Sequence, residues 1–326
     1  MACEFDLIAR YFTRPPQHTH TQTRLGVGDD GAVLAPGAGM ELVVSTDMLV
    51  EGTHFLSGTD AQSLGWKTLA VNLSDLAAMG ATPRWAVLAV ALPEVSEDWL
   101  AAFCRGLFAC ADAYAVDLVG GDTTRGPLNL CPTVFGEVPA GQALLRSGAR
   151  LGDQLWISGT PGLAALGLAQ LQGRCVLAEQ ALTDCLAALH RPQPRVALGL
   201  ALRGLASAAI DVSDGLLADL GHLLERSAAS AELRLELLPG AALDATADAE
   251  LARNCLLCGG DDYELLFTAA PQQQAQIQAL SARLGLPLTL IGAIVAGSPA
   301  DLRLLSADGA VALPGRRGYD HFGAAS

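Results

Sequence analysis

Apolar residues fall into short blocks divided by glycines, prolines and acids, and helical and strand periodicities alternate along the chain. Over residues 61–79, Trp66, Leu69, Ala70, Leu73, Leu76 and Ala77 share one face at roughly 100° per residue. This predicts a helix closed by Gly80 and Pro83. Thr68, Asn72 and Asp75 lie opposite, where a polar residue ordinarily faces water. Ser96, followed by Glu97 and Asp98, predicts a capped helix over 99–114. A short amphipathic helix is expected over 4–13, ended by Pro15-Pro16. Strands are predicted at 43–46, 85–92, 117–119 and 131–138. In the second half, strands at 154–158, 208–212, 233–238, 263–268 and 288–295 alternate with helices at 162–171, 179–189, 196–205, 216–229, 248–255 and 272–284. Strands with covering helices in both halves predict α/β or α+β layers. The small-residue stretch 139–152 divides the chain into expected domains 1–140 and 141–326.

Several of these blocks run into carboxylates. Gly28-Asp29-Asp30-Gly31 forms a glycine-rich turn, and Ser45-Thr46-Asp47 closes the run Leu42-Val43-Val44. Leu118-Val119 leads into Gly120-Gly121-Asp122, and Ala209-Ile210 into Asp211-Val212-Ser213-Asp214-Gly215. Leu256-Leu257-Cys258, also strand-like, leads into Gly259-Gly260-Asp261-Asp262. Ligands of α/β sheets collect at strand ends. Carboxylates gathered there repel one another unless cations neutralise them, and Mg²⁺ prefers such oxygens together with phosphates. The neighbouring glycines permit phosphate oxygens to approach backbone N–H groups. Taken singly, Asp29 and Asp30 read equally as turn residues, and Ser213 and Asp214 as a helix N-cap.

Composition narrows the partners. Thirty-four acids against 20 bases give a net charge of −14, which argues against nucleic acid because phosphate backbones need a basic surface. The only lysine, Lys67, lies outside any G-x-x-x-x-G-K-[ST] loop, which removes the P-loop kinases; the protein-kinase signatures, G-x-S-x-G and strand-linked G-x-G-x-x-G are also missing. Of eight cysteines only Cys255 and Cys258 have metal-like spacing, without a second pair or a histidine nearby; buried thiols in a reducing cytoplasm are expected. The acidic N-terminus does not read as a signal peptide, and no apolar run is long enough to span a bilayer. A soluble cytoplasmic protein is expected.

The motifs Gly28-Asp29-Asp30, Ser45-Thr46-Asp47, Asn72-Leu-Ser-Asp75-Leu-Ala-Ala-Met-Gly80, Gly120-Gly121-Asp122-Thr123, Asp211-Val-Ser213-Asp214-Gly215, Gly259-Gly260-Asp261-Asp262-Tyr263-Glu264 and Gly318-Tyr319-Asp320-His321-Phe322 together closely resemble the thiamine-monophosphate kinase family. The resemblance implies a two-domain aminoimidazole ribonucleotide synthetase-like fold and a homodimer, with ATP held mainly by the N-terminal domain at the domain and subunit interface. It implies magnesium ligands at Asp30, Ser45, Thr46, Asp47, Asp75, Asp122, Asp211 and Asp214. It also implies nucleotide contacts from Gly121, Asp122, Arg146 and Ser213, and substrate contacts from His54, Asp261 and Tyr319. Asp261 departs from the family, which usually carries Glu there; its shorter side chain leaves room for a bridging water.

The implied reaction moves the γ-phosphoryl group of ATP onto thiamine monophosphate, giving thiamine diphosphate. A phosphate monoester, with a second pKa near about 6, is already largely a dianion at neutral pH, so no general base is expected. Bringing two polyanions together calls instead for positioning and cations, Mg²⁺ with Arg146. The residues alone leave open a metal-dependent phosphohydrolase and a non-catalytic nucleotide or divalent-metal binding module.

Overall fold

The computed structural model describes residues 4–15, 17–18 and 22–322. Met1–Cys3, Pro16 and part of the polar stretch after it, all drawn on above, lie outside the described residues. The chain divides into two compact units: Met1–Leu76 with Ala81–Ala143, and Ala77–Gly80 with Leu144–Ser326.

In the first unit α1 (Glu4–Leu7) continues as a π-helical turn, Ile8–Phe12. The hairpin β1 (Thr23–Leu25) and β2 (Val33–Leu34) carries the Gly28–Gly31 turn. There follow β3 (Met40–Thr46), β4 (Leu49–Val50), α2 (Ala61–Ala78), β5 (Thr82–Leu92), α3 (Glu97–Ala113), β6 (Asp117–Arg125) and β7 (Asn129–Pro139). The strands form one sheet in the order β3-β7-β5-β6, with β4 also on β7; β5 and β6 are parallel, linked by α3. Ser96 caps α3 as expected, its hydroxyl accepting from the Trp99 amide.

Two helices lock together at glycines. A side chain at Gly65 on α2 would collide with the Phe103 carbonyl, and one at Gly106 on α3 with the Gln62 carbonyl, so the two backbones are in contact. Helix α2 is buried at every position from Leu64 to Ser74. The polar face expected in water is therefore inside: Thr68 and Asn72 have no exposed surface. Thr68 is satisfied within the helix, donating to the Leu64 carbonyl at 2.7 Å.

A second difference concerns β6. The strand does not stop at Val119 but runs through Gly120-Gly121-Asp122 to Arg125, so Asp122 lies within a strand. Gly121 makes this continuation possible, because a side chain there would meet the Leu88 carbonyl of β5. Met40, Leu42 and Val44 alternate along β3 and stand 40–54% exposed, an apolar stripe on an edge strand.

The second unit contains β8 (Gln154–Ser158), α4 (Leu163–Leu171), α5 (Glu179–His190), α6 (Val196–Leu202), β9 (Ala206–Val212), α7 (Leu216–Ser227), β10 (Ser230–Arg234), α8 (Ala241–Asp244), α9 (Ala249–Cys258), β11 (Glu264–Ala269), α10 (Gln274–Leu284), β12 (Leu288–Val295), β13 (Leu302–Ser306) and β14 (Gly309–Val311). Its seven-stranded sheet has the order β14-β13-β10-β12-β8-β11-β9. Leu155, Ile157, Ile210, Val212 and Leu266 pack from the strands with Leu166 of α4, Leu216, Leu220 and Leu224 of α7 and Leu256 of α9. By strand alternation the neighbouring Trp156 and Phe267 lie on the opposite face, where their rings stack 6.4 Å apart.

Two expectations fail in this unit. The strand predicted over 233–238 is displaced: β10 ends at Arg234, the last residue paired with β13, and Leu235–Leu237 forms a 3₁₀ turn. Leu256-Leu257-Cys258 is the last turn of α9 and not a strand. A three-residue apolar run carries no period, and the leucines are buried by the helix packing of α9.

Candidate active site

In the first unit, the end of β3 meets α2. Ser45 Oγ donates to Asp75 Oδ2 at 2.5 Å, and the Asp47 amide donates to Asn72 Oδ1 at 2.9 Å. Asn72 and Asp75 are three residues apart on α2, which places them on one helix face. Asn72 Nδ2 is buried and has no hydrogen-bond partner among the described residues. This orphaned donor beside the Asp47 turn suits a site completed by an oxygen-rich ligand.

Alternation along β3 turns Thr46 to the opposite face from Ser45. Thr46 Oγ1 donates to the Pro132 carbonyl at 2.9 Å and accepts from Thr133 Oγ1 at 3.0 Å. Asp122 is exposed on β6, in register with Ala89 of β5 and, through it, Cys131 of β7. It lies three strand spacings from β3, about 14 Å. Asp30 is exposed in the hairpin turn, where its amide donates to Asp29 Oδ1. His54 sits in the turn after β4, and its Nδ1 accepts from the Val50 amide at 3.0 Å. The proton of the neutral ring is therefore on Nε2.

In the second unit, a loop cluster gathers most of the remaining candidates. Asp211 is buried within β9, in register with Leu265 of β11. Beyond the strand, the Ser213 carbonyl accepts from the Asp261 amide and the Asp214 carbonyl from the Tyr319 amide, both at 2.9 Å. Asp261 and Tyr263 both have positive φ, 71° and 52°, and Tyr263 donates its phenol hydrogen to Asp261 Oδ1 at 3.0 Å. Strained backbone of this kind concentrates at functional sites. Asp262 points away from this cluster, both carboxylate oxygens accepting from the Gly162 amide ahead of α4 at 2.8 Å; burial pushes its pKa well above the usual carboxylate value. Arg146 is an exposed loop residue, held by its carbonyl to Ser227 Oγ.

The start of α7 differs from the N-cap reading. Neither Ser213 nor Asp214 caps it; the preceding residue is Gly215, and Asp219 from the first helical turn supplies the acceptor. Asp219 Oδ2 takes the amides of Ser213, Asp214 and Gly215 at 3.0, 3.0 and 3.1 Å. Those N–H groups are consequently not available to a phosphate. Burial pushes the Asp219 carboxyl up to about 7, with the Asp214 charge adding to the rise and the three amides opposing it. Asp219 was absent from the sequence-derived set, although an acid in the first turn of a helix beginning with glycine is its signal. Asn72 was visible in its motif but was assigned only to a polar helix face.

Among the described residues, no three His, Cys, Asp or Glu side chains form a ready-made metal cage. The oxygen-only donors around Ser45, Asp47 and Asp75 nonetheless suit Mg²⁺, which takes one or two carboxylates and completes its shell with water and substrate phosphates. No helix among the described residues is long and apolar enough to cross a membrane.

Residues 28–138 match the family described as AIR synthase related protein, N-terminal domain. The chain is 46% identical over 327 residues to the thiamine-monophosphate kinase of Salmonella typhimurium, covering 99% of each. It is similar to the crystal structure of thiamine-monophosphate kinase from Stenotrophomonas maltophilia K279a, with a TM-score of 0.82 and 48% identity over 94% of this chain and 95% of that one. It is also similar to AaThiL complexed with AMPPCP and TMP, with a TM-score of 0.74 and 28% identity over 99% of both chains.

Proposed function

This chain belongs to the thiamine-monophosphate kinase family, and we propose that it transfers the γ-phosphoryl group of ATP to thiamine monophosphate, forming thiamine diphosphate and ADP. The observation that carries this reading to the residues is the end of β3, where Ser45, Asp47, Asn72 and Asp75 meet around a buried side-chain amide donor, Asn72 Nδ2, that has no partner among the described residues.

In the first unit, Asp30, Ser45, Thr46, Asp47, Asp75 and Asp122 would hold Mg²⁺ ions; in the second, Asp211 and Asp214 would do so. The separation of Asp122 from β3 fits several ions strung along a triphosphate better than one shared ion. Bound Mg²⁺ would neutralise phosphate charge and align donor and acceptor. Gly121, Arg146 and Ser213 would contact the nucleotide, and His54, Asp261 and Tyr319 the acceptor. His54, with Nδ1 occupied, would offer Nε2–H as a donor. The first unit would serve as the ATP- and Mg²⁺-binding and dimerisation domain, and the exposed Met40, Leu42 and Val44 stripe supports a homodimer by leaving an apolar edge to cover. The place of action would be the cytoplasm.

Incubation with ATP, Mg²⁺ and thiamine monophosphate, with separation of the products, tests the reaction. Thiamine diphosphate and ADP in equal amounts are expected; inorganic phosphate without thiamine diphosphate would assign a phosphohydrolase instead. Asp47→Asn and Asp122→Asn are expected to abolish turnover in a folded protein, and near-normal rates in either would remove that residue from the metal set.

A further inference from the structure

We propose that Asp219 is a positioning residue that, through the Ser213–Gly215 turn, couples Asp214 on the metal side to Asp261 and Tyr319 on the acceptor side. The inference rests on the roles given to those three residues above. One oxygen, Asp219 Oδ2, gathers three successive amides, those of Ser213, Asp214 and Gly215. The carbonyls of Ser213 and Asp214 are taken from the other side by the amides of Asp261 and Tyr319. Every backbone donor and acceptor of Ser213 and Asp214 is therefore engaged, and each bond joins the turn either to Asp219 or to an acceptor-side segment.

Packing gives these links little slack. A side chain at Gly260 would come within 2.5 Å of the Ser213 carbonyl oxygen. One at Gly318 would come within 2.5 Å of Ala218 Cβ and 2.7 Å of the Asp214 carbonyl oxygen. Asp219 is itself buried, on a helix whose neighbouring Leu216, Leu217 and Leu220 belong to the core of the unit. Its position is thus set by the core and passed to the turn. A helix cap alone requires only the amide side of this arrangement. The bonds on the carbonyl side mean that displacing the turn displaces Asp214, Asp261 and Tyr319 together.

The test uses the full-length enzyme. Asp219→Asn keeps the side-chain size but replaces the carboxyl group with an amide. Calorimetry would measure binding of Mg²⁺ with the ATP analogue AMPPCP and, separately, binding of thiamine monophosphate; steady-state KM values for both substrates would accompany it. Both affinities are expected to weaken together, by about 10- to 100-fold, the scale seen when the support of a ligating group is removed. Asp214→Asn should weaken the Mg²⁺-analogue arm alone, and Tyr319→Ala the acceptor arm alone. If Asp219→Asn does not fold, Gly318→Ala, on an irregular segment after the last strand, disturbs the same junction and should also weaken both. Either variant altering only one affinity overturns the coupling, as does an Asp219→Asn protein with a lowered Tm but both affinities within about twofold of normal. Should Asp214→Asn and Tyr319→Ala both bind normally, the roles assigned to those residues fail and the coupling with them, an outcome distinct from failure of Asp219 alone.

Discussion

Arg195 and Glu264 allow a stability effect to be worked from geometry. Arg195 grips the Glu264 carboxylate with two nitrogens, Nε at 2.7 Å and one terminal nitrogen at 2.6 Å. The Glu264 side chain is 5% exposed, and Ser158 Oγ adds a third donor at 2.5 Å. Changing Arg195→Leu leaves a buried carboxylate with a hydroxyl and the distant Thr160 amide. Removing one partner of a buried ion pair costs about 3–5 kcal/mol, because the remaining charge lacks both water and counter-ion. For a unit of this size each kcal/mol shifts Tm by about 2–4 °C, so a fall of about 6–20 °C is expected. Most of the cost is the abandoned charge, so Arg195→Leu with Glu264→Leu should recover more than half of it. Thermal unfolding followed by calorimetry, with urea midpoints as a second probe, reads both variants. A single-variant loss under about 1 kcal/mol, the scale of a surface pair, would refute the reasoning. A double variant less stable than the single would do so as well.

Three further outcomes follow from other parts of the molecule. Ser45→Ala removes the hydroxyl that bonds Asp75; a hydrogen bond to a charged group contributes about 1.5–3 kcal/mol, so kcat/KM should fall about 10- to 100-fold with a raised Mg²⁺ requirement, and an unchanged Mg²⁺ titration would separate Ser45 from the metal. Val44→Lys places a charge in the exposed stripe of β3 and, on the homodimer proposed above, should sediment as a monomer where the parent sediments as twice that mass; equal sedimentation of the two would remove this stripe from the interface. Burial pushes the Cys104 and Cys255 thiols up to about 12 from an ordinary value of 9.0. The folded chain thus keeps protons that the unfolded chain releases, so stability is lost as pH climbs from about 9 towards 12, and urea midpoints should decline over that range. Cys104→Ala with Cys255→Ala should flatten the decline, and an identical slope would discount these thiols.

Much of the fold was legible wherever a period extended over many residues. Helix α2 was placed to within a residue by its apolar spacing and Gly80, and α3 to within two by Ser96 and its two acids. What the pattern could not reveal was how many neighbours a helix has. Asn72 and Thr68 look like a wet face because α2 alternates polar with apolar positions, but both are fully buried, with α3 against the helix at Gly65 and the Asp47 amide at the end of β3 bonded to Asn72. Short runs failed for a related reason: Leu256-Leu257-Cys258 has no period, and only its place on α9 decides its conformation. Among the candidate ligands, Ser45, Asp47 and Asp75 were named from motifs, and the structure joins Ser45 to Asp75 and Asp47 to Asn72. Asp122 was expected at a strand end and lies inside β6, because Gly121 admits continued pairing with β5. Asp219 was missed because the donors it accepts from are backbone amides, which leave no mark in a side-chain motif.

The contact between α2 and α3 also bears on motion. With Gly65 and Gly106 each seated against the opposite backbone, neither helix can rotate or slide without driving atoms into a main chain. Amide protons of α2 through the Asn72–Asp75 turn would then exchange with deuterium only when the whole unit opens, whereas those of the Gly28–Gly31 hairpin would exchange through local fluctuation. The carboxylate of Asp75 thus rides on a helix braced against its neighbour, and that of Asp30 on an exposed two-stranded turn, so the two would meet a ligand from supports of unequal stiffness.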